Sequence, residues 1–321
     1  MRLRHSVQPI PGTGFIDPKT LSRIDNLELL ARTVVDGFIN GLHRAPYLGM
    51  SLDFAEHRAY YPGDDIRRID WRLYARTDRY YVKEYEADTN SNFTVLLDIS
   101  KSMSYSGAGI RKLEYAKYLA ASLSYFSREQ RDRVGLLTFD SDIVDYVPPS
   151  AKHLDVVLHT IDRVRAERPG SLDGSLRKAT ELLRRRGLVI IISDLYEDPE
   201  RVQSAIGMLR HRGHDVIVFH VLDQTEIDLE GAAGGSSLDE ATSFEDLETG
   251  ERIPVITPAV RERYRALMQE HIAAIRRKLT EQRIDYALFD TSTPLDAALF
   301  AYLAARERLT RGTARSGGGR R

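Results

Sequence analysis

Short apolar runs alternate with amphipathic segments from residue 92 almost to the end of the chain. An apolar, β-rich run at 93–97 and a wholly apolar run at 188–192 predict buried β-strands. Further strands are predicted at 133–139, 215–221 and 284–289, and at 143–147 as an edge strand closed by Pro148 and Pro149. Helices are predicted between them, near 112–127, 151–164, 173–186 and 199–212, and from Thr257 and Thr293 onward. This alternation predicts an α/β fold with a doubly wound, mostly parallel sheet of about six strands.

The first 90 residues have a different pattern. Apolar residues spaced by three and four from Ile24 predict an amphipathic helix that ends near His43. Residues 45–90 are rich in Tyr and charge, with a strand predicted at 80–86. We therefore predict an N-terminal extension at 1–90, a sheet domain at 91–309 and a disordered basic tail at 310–321. Within the sheet domain, an acidic loop at 223–242 and a hairpin at 244–255 interrupt the alternation.

Composition narrows the function classes. The 321 residues carry a formal net charge of −1, which gives no global field to attract nucleic acid or anionic lipid. The absence of cysteine excludes disulfides, thiolate zinc sites and cysteine catalysis, and it fits a reducing compartment. No secretory signal is visible, and no run approaches the ~20 apolar residues of a membrane-spanning helix. We expect a cytoplasmic protein.

The first apolar strand is followed by Asp98-Ile99-Ser100-Lys101-Ser102. One carboxylate and two hydroxyls at alternate positions thus lie at the carboxyl end of a core strand, the edge at which open α/β sheets bind ligands. An oxygen-only set suits a hard divalent cation such as Mg²⁺ or Mn²⁺. The alternative is that Asp98, Ser100 or Ser102 is an ordinary helix N-cap.

A second strand end carries Asp194, after the apolar run 188–192. Between the two strand ends lies the turn 169–174, which brings Ser171 and Asp173 to the start of a helix. The alternative role for Asp194 is to cap the helix that begins near Pro199.

This arrangement resembles the von Willebrand factor A-type domain. That family binds a divalent ion at a metal-ion-dependent adhesion site (MIDAS), with D-x-S-x-S after the first strand, a Thr in a later loop and an Asp after the fourth strand. Asp98, Ser100 and Ser102 match the first element, and Asp194 matches the last. The family's Thr falls on Ser171, with Asp173 as the competing ligand.

A second resemblance covers about residues 25–308. The stretch from Leu52 to Trp71, followed by Ala75-Arg76-Thr77, is similar to the signature of the bacterial domain of unknown function fifty-eight family. Its members carry a von Willebrand A-type domain and are commonly encoded beside MoxR-type AAA+ ATPases. The resemblance implies metal-dependent protein–protein interaction, as an adaptor or co-chaperone-like partner of such an ATPase. A partner protein would offer an acidic residue to the metal.

The role of the segment from Pro62 to Arg76 stays open between two alternatives. Its charges, including Arg67, Arg68 and Arg72, either form surface ion pairs or dock a partner. Trp71 and the neighbouring tyrosines favour interdomain packing, because such side chains bury a large area and keep a polar handle.

Catalytic motifs are missing. The second Asp of a D-x-D phosphatase motif is replaced by Ser100, and no phosphate-binding glycine loop or nucleophile elbow occurs. We therefore predict a binding module and no enzyme. The alternatives are a metal-dependent hydrolase of unrecognised type and a structural subunit in which the ion only stabilises the loops.

Overall fold

The computed structural model describes residues 21, 26–44, 56–59, 71–84, 91–107, 109–228, 242–245, 252–255 and 257–303. Helices and strands follow one another in this order: α1 (Leu27–Arg44), β1 (Glu56–Ala59), α2 (Trp71–Thr77), β2 (Tyr81–Glu84), β3 (Asn92–Asp98), a 3-10 helix (Lys101–Ser104), α3 (Lys112–Glu129), β4 (Arg133–Phe139), β5 (Ile143–Ser150), α4 (Leu154–Arg163), α5 (Leu172–Leu182), β6 (Gly187–Ser193), α6 (Pro199–His211), β7 (Asp215–Leu222), α7 (Gln224–Asp228), β8 (Thr242–Glu245), β9 (Arg252–Val255), α8 (Thr257–Glu281), β10 (Asp285–Asp290) and α9 (295–303).

Six strands form one sheet in the order β10-β7-β6-β3-β4-β5. All neighbours are parallel except β4 and β5, which are antiparallel. The predicted α/β fold with a mostly parallel sheet is confirmed. Because β3 lies between β6 and β4, and β6 beside β7, the carboxyl ends of these four strands meet at one edge of the sheet.

The two faces of β3 bury alternate residues under different helices. Val95 and Leu97 belong to the core formed with α1, α3, α4 and α9, whereas Leu96 belongs to the core formed with α5, α6 and α8. A strand buried on both faces reads as a continuous apolar run, which explains why 93–97 shows no alternation.

The edge strand β5 is longer than predicted. The sequence suggested that Pro148 and Pro149 close it at 147, but it runs to Ser150. Proline cannot donate to a ladder, and it is tolerated here because β5 pairs on one side only. The short helix α7 is a second difference, since 223–242 had been expected to be a loop.

The N-terminal helix α1 packs into the same core as the sheet. Leu30, Val34, Val35 and Phe38 are buried together with residues of α3 and α9. The division at residue 90 stays a prediction. Residues 60–70, the Trp71 side chain and the tail 310–321 lie outside the described part, so the brace and docking alternatives for the segment from Pro62 to Arg76 remain predictions.

Two smaller pairs of strands lie outside the six-stranded sheet, and β1 was not predicted from the sequence. β1 pairs with β2, and β8 pairs with β9, both antiparallel. The second pair is the predicted hairpin, whose turn falls outside the described residues. Within the described ranges, no helix combines the length and the apolar character needed to cross a bilayer.

Candidate metal-binding site

Asp98 ends the central strand β3 and is buried. Its Oδ1 accepts the backbone N–H of Ser100 at 2.8 Å, and its Oδ2 accepts the Ser193 hydroxyl at 2.5 Å. The hydroxyls of Ser100 and Ser102 lie 3.1 Å apart. The predicted Asp-x-Ser-x-Ser motif therefore gathers a compact set of oxygen atoms at the carboxyl edge of the sheet.

The N-cap alternative for this motif finds no support in the geometry. Ser100 stands at the N-cap position of the 3-10 helix, but its side chain makes no capping bond. Asp98 receives the N–H two residues ahead, an Asx-type turn that shapes the loop. The next α-helix, α3, begins only at Lys112.

Asp194 follows β6, the neighbour of β3, and is also buried. The capping alternative for Asp194 is wrong, because Asp198 caps α6 by accepting the N–H groups of Glu200 and Arg201 at 2.9 and 3.4 Å. The next residue, Leu195, has a φ of +50°. A left-handed leucine is strained by roughly 1–2 kcal/mol, and such strain is typical of functional sites.

A histidine that the sequence analysis missed holds the Asp194 backbone. His220 Nε2 lies 2.7 Å from the Asp194 carbonyl oxygen, and Nδ1 lies 2.8 Å from the Tyr286 hydroxyl. Burial lowers the pKa of His220 to about 3, so the imidazole is neutral. Because a carbonyl can only accept, Nε2 carries the proton and Nδ1 accepts from Tyr286. No sequence motif identifies His220, because its contact with the Asp194 carbonyl depends on the order of the strands in the sheet.

The two strand-end carboxylates affect each other. Burial, and then the negative charge of Asp194, raise the pKa of Asp98 to about 7. Hydrogen bonds from Ser100 and Ser193 act in the opposite direction and are outweighed. Like charges held together in a buried place favour the uptake of a proton or of a cation.

The loop that carries Ser171 reaches the same edge. A Cβ at Gly170 would lie 2.5 Å from the Ser100 Cβ, so only glycine allows this close approach. The Ser171 N–H donates to the Asp140 carbonyl at 3.1 Å. Ser171 is thus the outermost of the predicted ligands, and it is exposed.

Ser171 stands at the N-cap of α5 without a capping bond from its side chain. The Leu172 N–H instead donates to Glu197 Oε1 at 2.5 Å. The Ser171 hydroxyl thus makes no bond to the second or third helical N–H, which is the usual role of a serine at this position. Asp173, the competing ligand, lies 3.6 Å from Arg177 in an exposed ion pair.

A buried lysine lies beside the site. Lys112 Nζ is 2.8 Å from Asp194 Oδ2 and 2.8 Å from Glu226 Oε1, and 4.8 Å from the centre of the Tyr196 ring. Sequence reasoning missed both Lys112 and Glu226. The sequence gives only a weak indication that Lys112 has a special role. It lies in the first turn of a predicted helix, where the helix dipole disfavours a cation.

The five predicted ligands form a hydroxyl-rich donor set with two carboxylates. No group of three or more His, Cys, Asp or Glu side chains arranged for a metal occurs among the described residues. Two buried carboxylates of adjacent strands, with Ser100 and Ser102 beside them, nevertheless fit a hard divalent ion that prefers oxygen ligands. We therefore regard these residues as compatible with Mg²⁺ or Mn²⁺.

The sheet order defines an α/β protein, and its polar groups lie at the edge where doubly wound sheets commonly bind ligands. The chain belongs to the family described as "Protein of unknown function DUF58", whose model matches residues 56–274. The family membership predicted from the stretch around Trp71 is confirmed.

Similar proteins extend over most of the chain. The uncharacterized proteins Rv1480 of Mycobacterium tuberculosis and Mb1516 of Mycobacterium bovis are each 27% identical over 299 residues, covering 91% of this chain and 91% of the relative.

Solved structures show a limited likeness. The conserved hypothetical protein BatB from Bacteroides thetaiotaomicron has a TM-score of 0.44 at 18% identity, covering 68% of this chain and 98% of that one. The SpRpn10 VWA domain has a TM-score of 0.41 at 10% identity, covering 65% and 92%. The fold class rests on the strand order of this chain's own sheet.

Proposed function

We propose that this chain is a metal-ion-dependent protein–protein interaction module of the von Willebrand A type. The observation that carries the proposal is the pair of buried carboxylates, Asp98 and Asp194, at adjacent strand ends beside the hydroxyls of Ser100 and Ser102. With Ser171 they would hold Mg²⁺ or Mn²⁺. Two carboxylates and three neutral hydroxyls would leave such an ion with an open coordination position, which a further acidic ligand can take.

The chain's own residues would orient that ion. The Ser100 N–H and the Ser193 hydroxyl fix the Asp98 carboxylate, and His220 fixes the backbone of Asp194. Hydrogen-bond partners around a metal site keep its ligands in a constant orientation, and these bonds would do the same here. A partner protein would contribute an Asp or Glu.

The partner that we propose is a MoxR-type AAA+ ATPase, with this chain as its adaptor or co-chaperone-like companion in the cytoplasm. Support comes from the family to which the chain belongs. It also comes from the proposed metal site, because a divalent ion there suits an acidic ligand from a partner. We propose no catalytic role.

The test is a calorimetric titration with Mn²⁺ of the wild type and of Asp98→Ala. We expect the variant to lose at least about tenfold in affinity, because a carboxylate ligand is removed. Asp132→Ala is the matched control, since Asp132 is a buried carboxylate at the start of β4, at the opposite edge of the sheet. Equal affinity in the wild type and Asp98→Ala would rule out Asp98 as a ligand.

Partner capture is tested separately. Immobilised protein is incubated with a purified MoxR-type ATPase in Mn²⁺ or in EDTA. We expect retention in Mn²⁺ and loss in EDTA and with Asp98→Ala. Retention that is indifferent to EDTA would leave the ATPase as a partner but remove the metal from its recognition.

A metal-dependent hydrolase is the second candidate, and one observation favours it. A buried carboxyl with a pKa of about 7, as in Asp98, is suited to general acid–base chemistry near neutral pH. Turnover of generic phosphoesters in Mn²⁺, abolished by Asp98→Ala, would favour the hydrolase. No turnover together with metal-dependent capture would favour the interaction module.

A further inference from the structure

Lys112 is an unusual residue to bury. Its side chain has an exposed fraction of 0%, and it lies in the first turn of α3, where the helix dipole disfavours a cation. An ammonium group withdrawn from water is costly unless it is paired. Burial lowers the pKa of Lys112, and Asp194 and Glu226 raise it by more, so the net shift is upward and the ammonium stays charged.

The partners of Lys112 come from two separate elements. Asp194 follows β6, and Glu226 lies on α7 after β7. The side chains of Asp194 and Glu226 are 3% and 12% exposed, so the ion pairs are shielded from water. Glu226 is itself fixed, because its Oε2 accepts the Asp223 N–H at 2.8 Å.

Two carboxylates therefore contact one ammonium, those of Asp194 and Glu226. Lys112 donates a hydrogen bond to Asp194 Oδ2, and the Asp194 carboxylate is one of the proposed metal ligands. Its positive charge also opposes any second cation nearby, and at short range inside a protein this opposition is strong.

We infer that Lys112 is a built-in counter-ion that competes with the divalent metal for Asp194, and that Glu226 sets the strength of this competition by drawing the ammonium away. This inference rests on the proposed metal site and concerns its regulation. Lys112 would allow the carboxylates to remain buried without metal and would keep the metal affinity low enough for exchange. Any movement of α7 that changes the Lys112–Glu226 pair would change the metal affinity.

The test uses the full chain and Mn²⁺ as the probe. Lys112→Met keeps an unbranched apolar stem and removes the charge. We expect its affinity for Mn²⁺ to rise by at least about tenfold, because a nearby positive charge is gone and Asp194 Oδ2 is released. The metal-free variant should melt at a lower temperature than the wild type, and Mn²⁺ should raise its melting temperature by more.

Lys117→Met is the matched control. Lys117 lies on the same helix and is also buried, but it pairs with Glu114 at 3.1 Å and with the Asp162 carbonyl at 3.2 Å. The Lys117→Met substitution should leave the affinity for Mn²⁺ unchanged.

Glu226→Gln gives the opposite expectation. The ammonium then has Asp194 as its remaining carboxylate contact, so Mn²⁺ should bind less tightly than to the wild type. A direct loss of negative charge would weaken binding as well, and the double variant separates the two effects. If Glu226 acts through Lys112, Glu226→Gln should change the affinity less in the Lys112→Met background than in the wild type.

The outcomes distinguish the two proposals. Tighter Mn²⁺ binding by Lys112→Met supports the counter-ion role, and it does so even if binding to the wild type is undetectable. Unchanged or weaker binding overturns that role and leaves the metal site intact. No binding by either protein overturns both. If Lys112→Met does not fold, Lys112→Gln takes its place in the single and the double variant, with the same expectations. Unchanged or tighter Mn²⁺ binding by Glu226→Gln contradicts the inference.

Discussion

At the scale of single residues, Asp98 is the most perturbed carboxyl of the candidate site. Burial and the neighbouring Asp194 raise its pKa from an ordinary value of 3.8 to about 7. The folded chain therefore holds this proton more tightly than the unfolded chain. The contribution to stability is fully present below about pH 4 and is lost as the pH rises through about 7.

This predicts how stability depends on pH without metal. In EDTA, the free energy of unfolding of the wild type should fall by about 2–3 kcal/mol more than that of Asp98→Asn between pH 5 and pH 8, because a shift of one pKa unit corresponds to 1.36 kcal/mol. Chemical denaturation at several pH values measures the difference. Parallel curves for the two proteins would show that Asp98 titrates normally.

At the scale of elements, the start of α5 separates the roles of Ser171 and Asp173. The Ser171 side chain makes no capping hydrogen bond, so it has no capping function to lose. Asp173 contributes to the first turn of α5 and to an exposed ion pair with Arg177, which contributes little to stability.

Substitutions in this loop should therefore have distinct effects. Ser171→Ala is expected to weaken Mn²⁺ binding without lowering the melting temperature, and Ser171→Thr to keep or strengthen it. Ser141→Ala, an exposed serine in the β4–β5 turn, is the control. If Asp173→Ala weakens binding and Ser171→Ala does not, Asp173 is the ligand. Titration calorimetry and thermal melting give both readouts.

At the scale of the whole molecule, the helix α1 belongs to the core beside the sheet. Phe38 is buried and contacts Phe126 of α3 and Phe300 of α9 edge to face, with ring centres 6.0 and 4.6 Å apart. The first and last described helices thus meet on one face of the sheet. An N-terminal extension that folds separately would not need these contacts.

Truncating Phe38 tests this arrangement. Phe38→Ala should destabilise the whole protein by about 3–5 kcal/mol in a single cooperative unfolding transition, the usual effect of removing a buried aromatic ring. Leu29→Ala on the exposed side of α1, where the side chain is 55% exposed, is the control and should change little. A separate early transition, with the main one unmoved, would show that α1 is an independent unit.

The sequence by itself determined the six strands of the main sheet and most of the candidate ligands. Strands β3 and β6 are apolar along their length because both faces of the sheet are covered. Such runs can be recognised from the sequence without a structure. Asp98, Ser100, Ser102 and Asp194 follow these runs directly, so their placement at the carboxyl edge could be predicted. The end of β5 could not, because proline is tolerated or excluded according to whether a strand has one neighbour or two.

Only the tertiary structure decided which distant residues act on those ligands. Lys112 pairs with Asp194 across 82 positions of the chain, and His220 reaches the Asp194 carbonyl because β7 lies beside β6. Neither residue stands in a motif. The charge of Lys112 and the neutrality of His220 follow from burial and neighbours, which are set by the packing of strands and helices and not by the local order of residues.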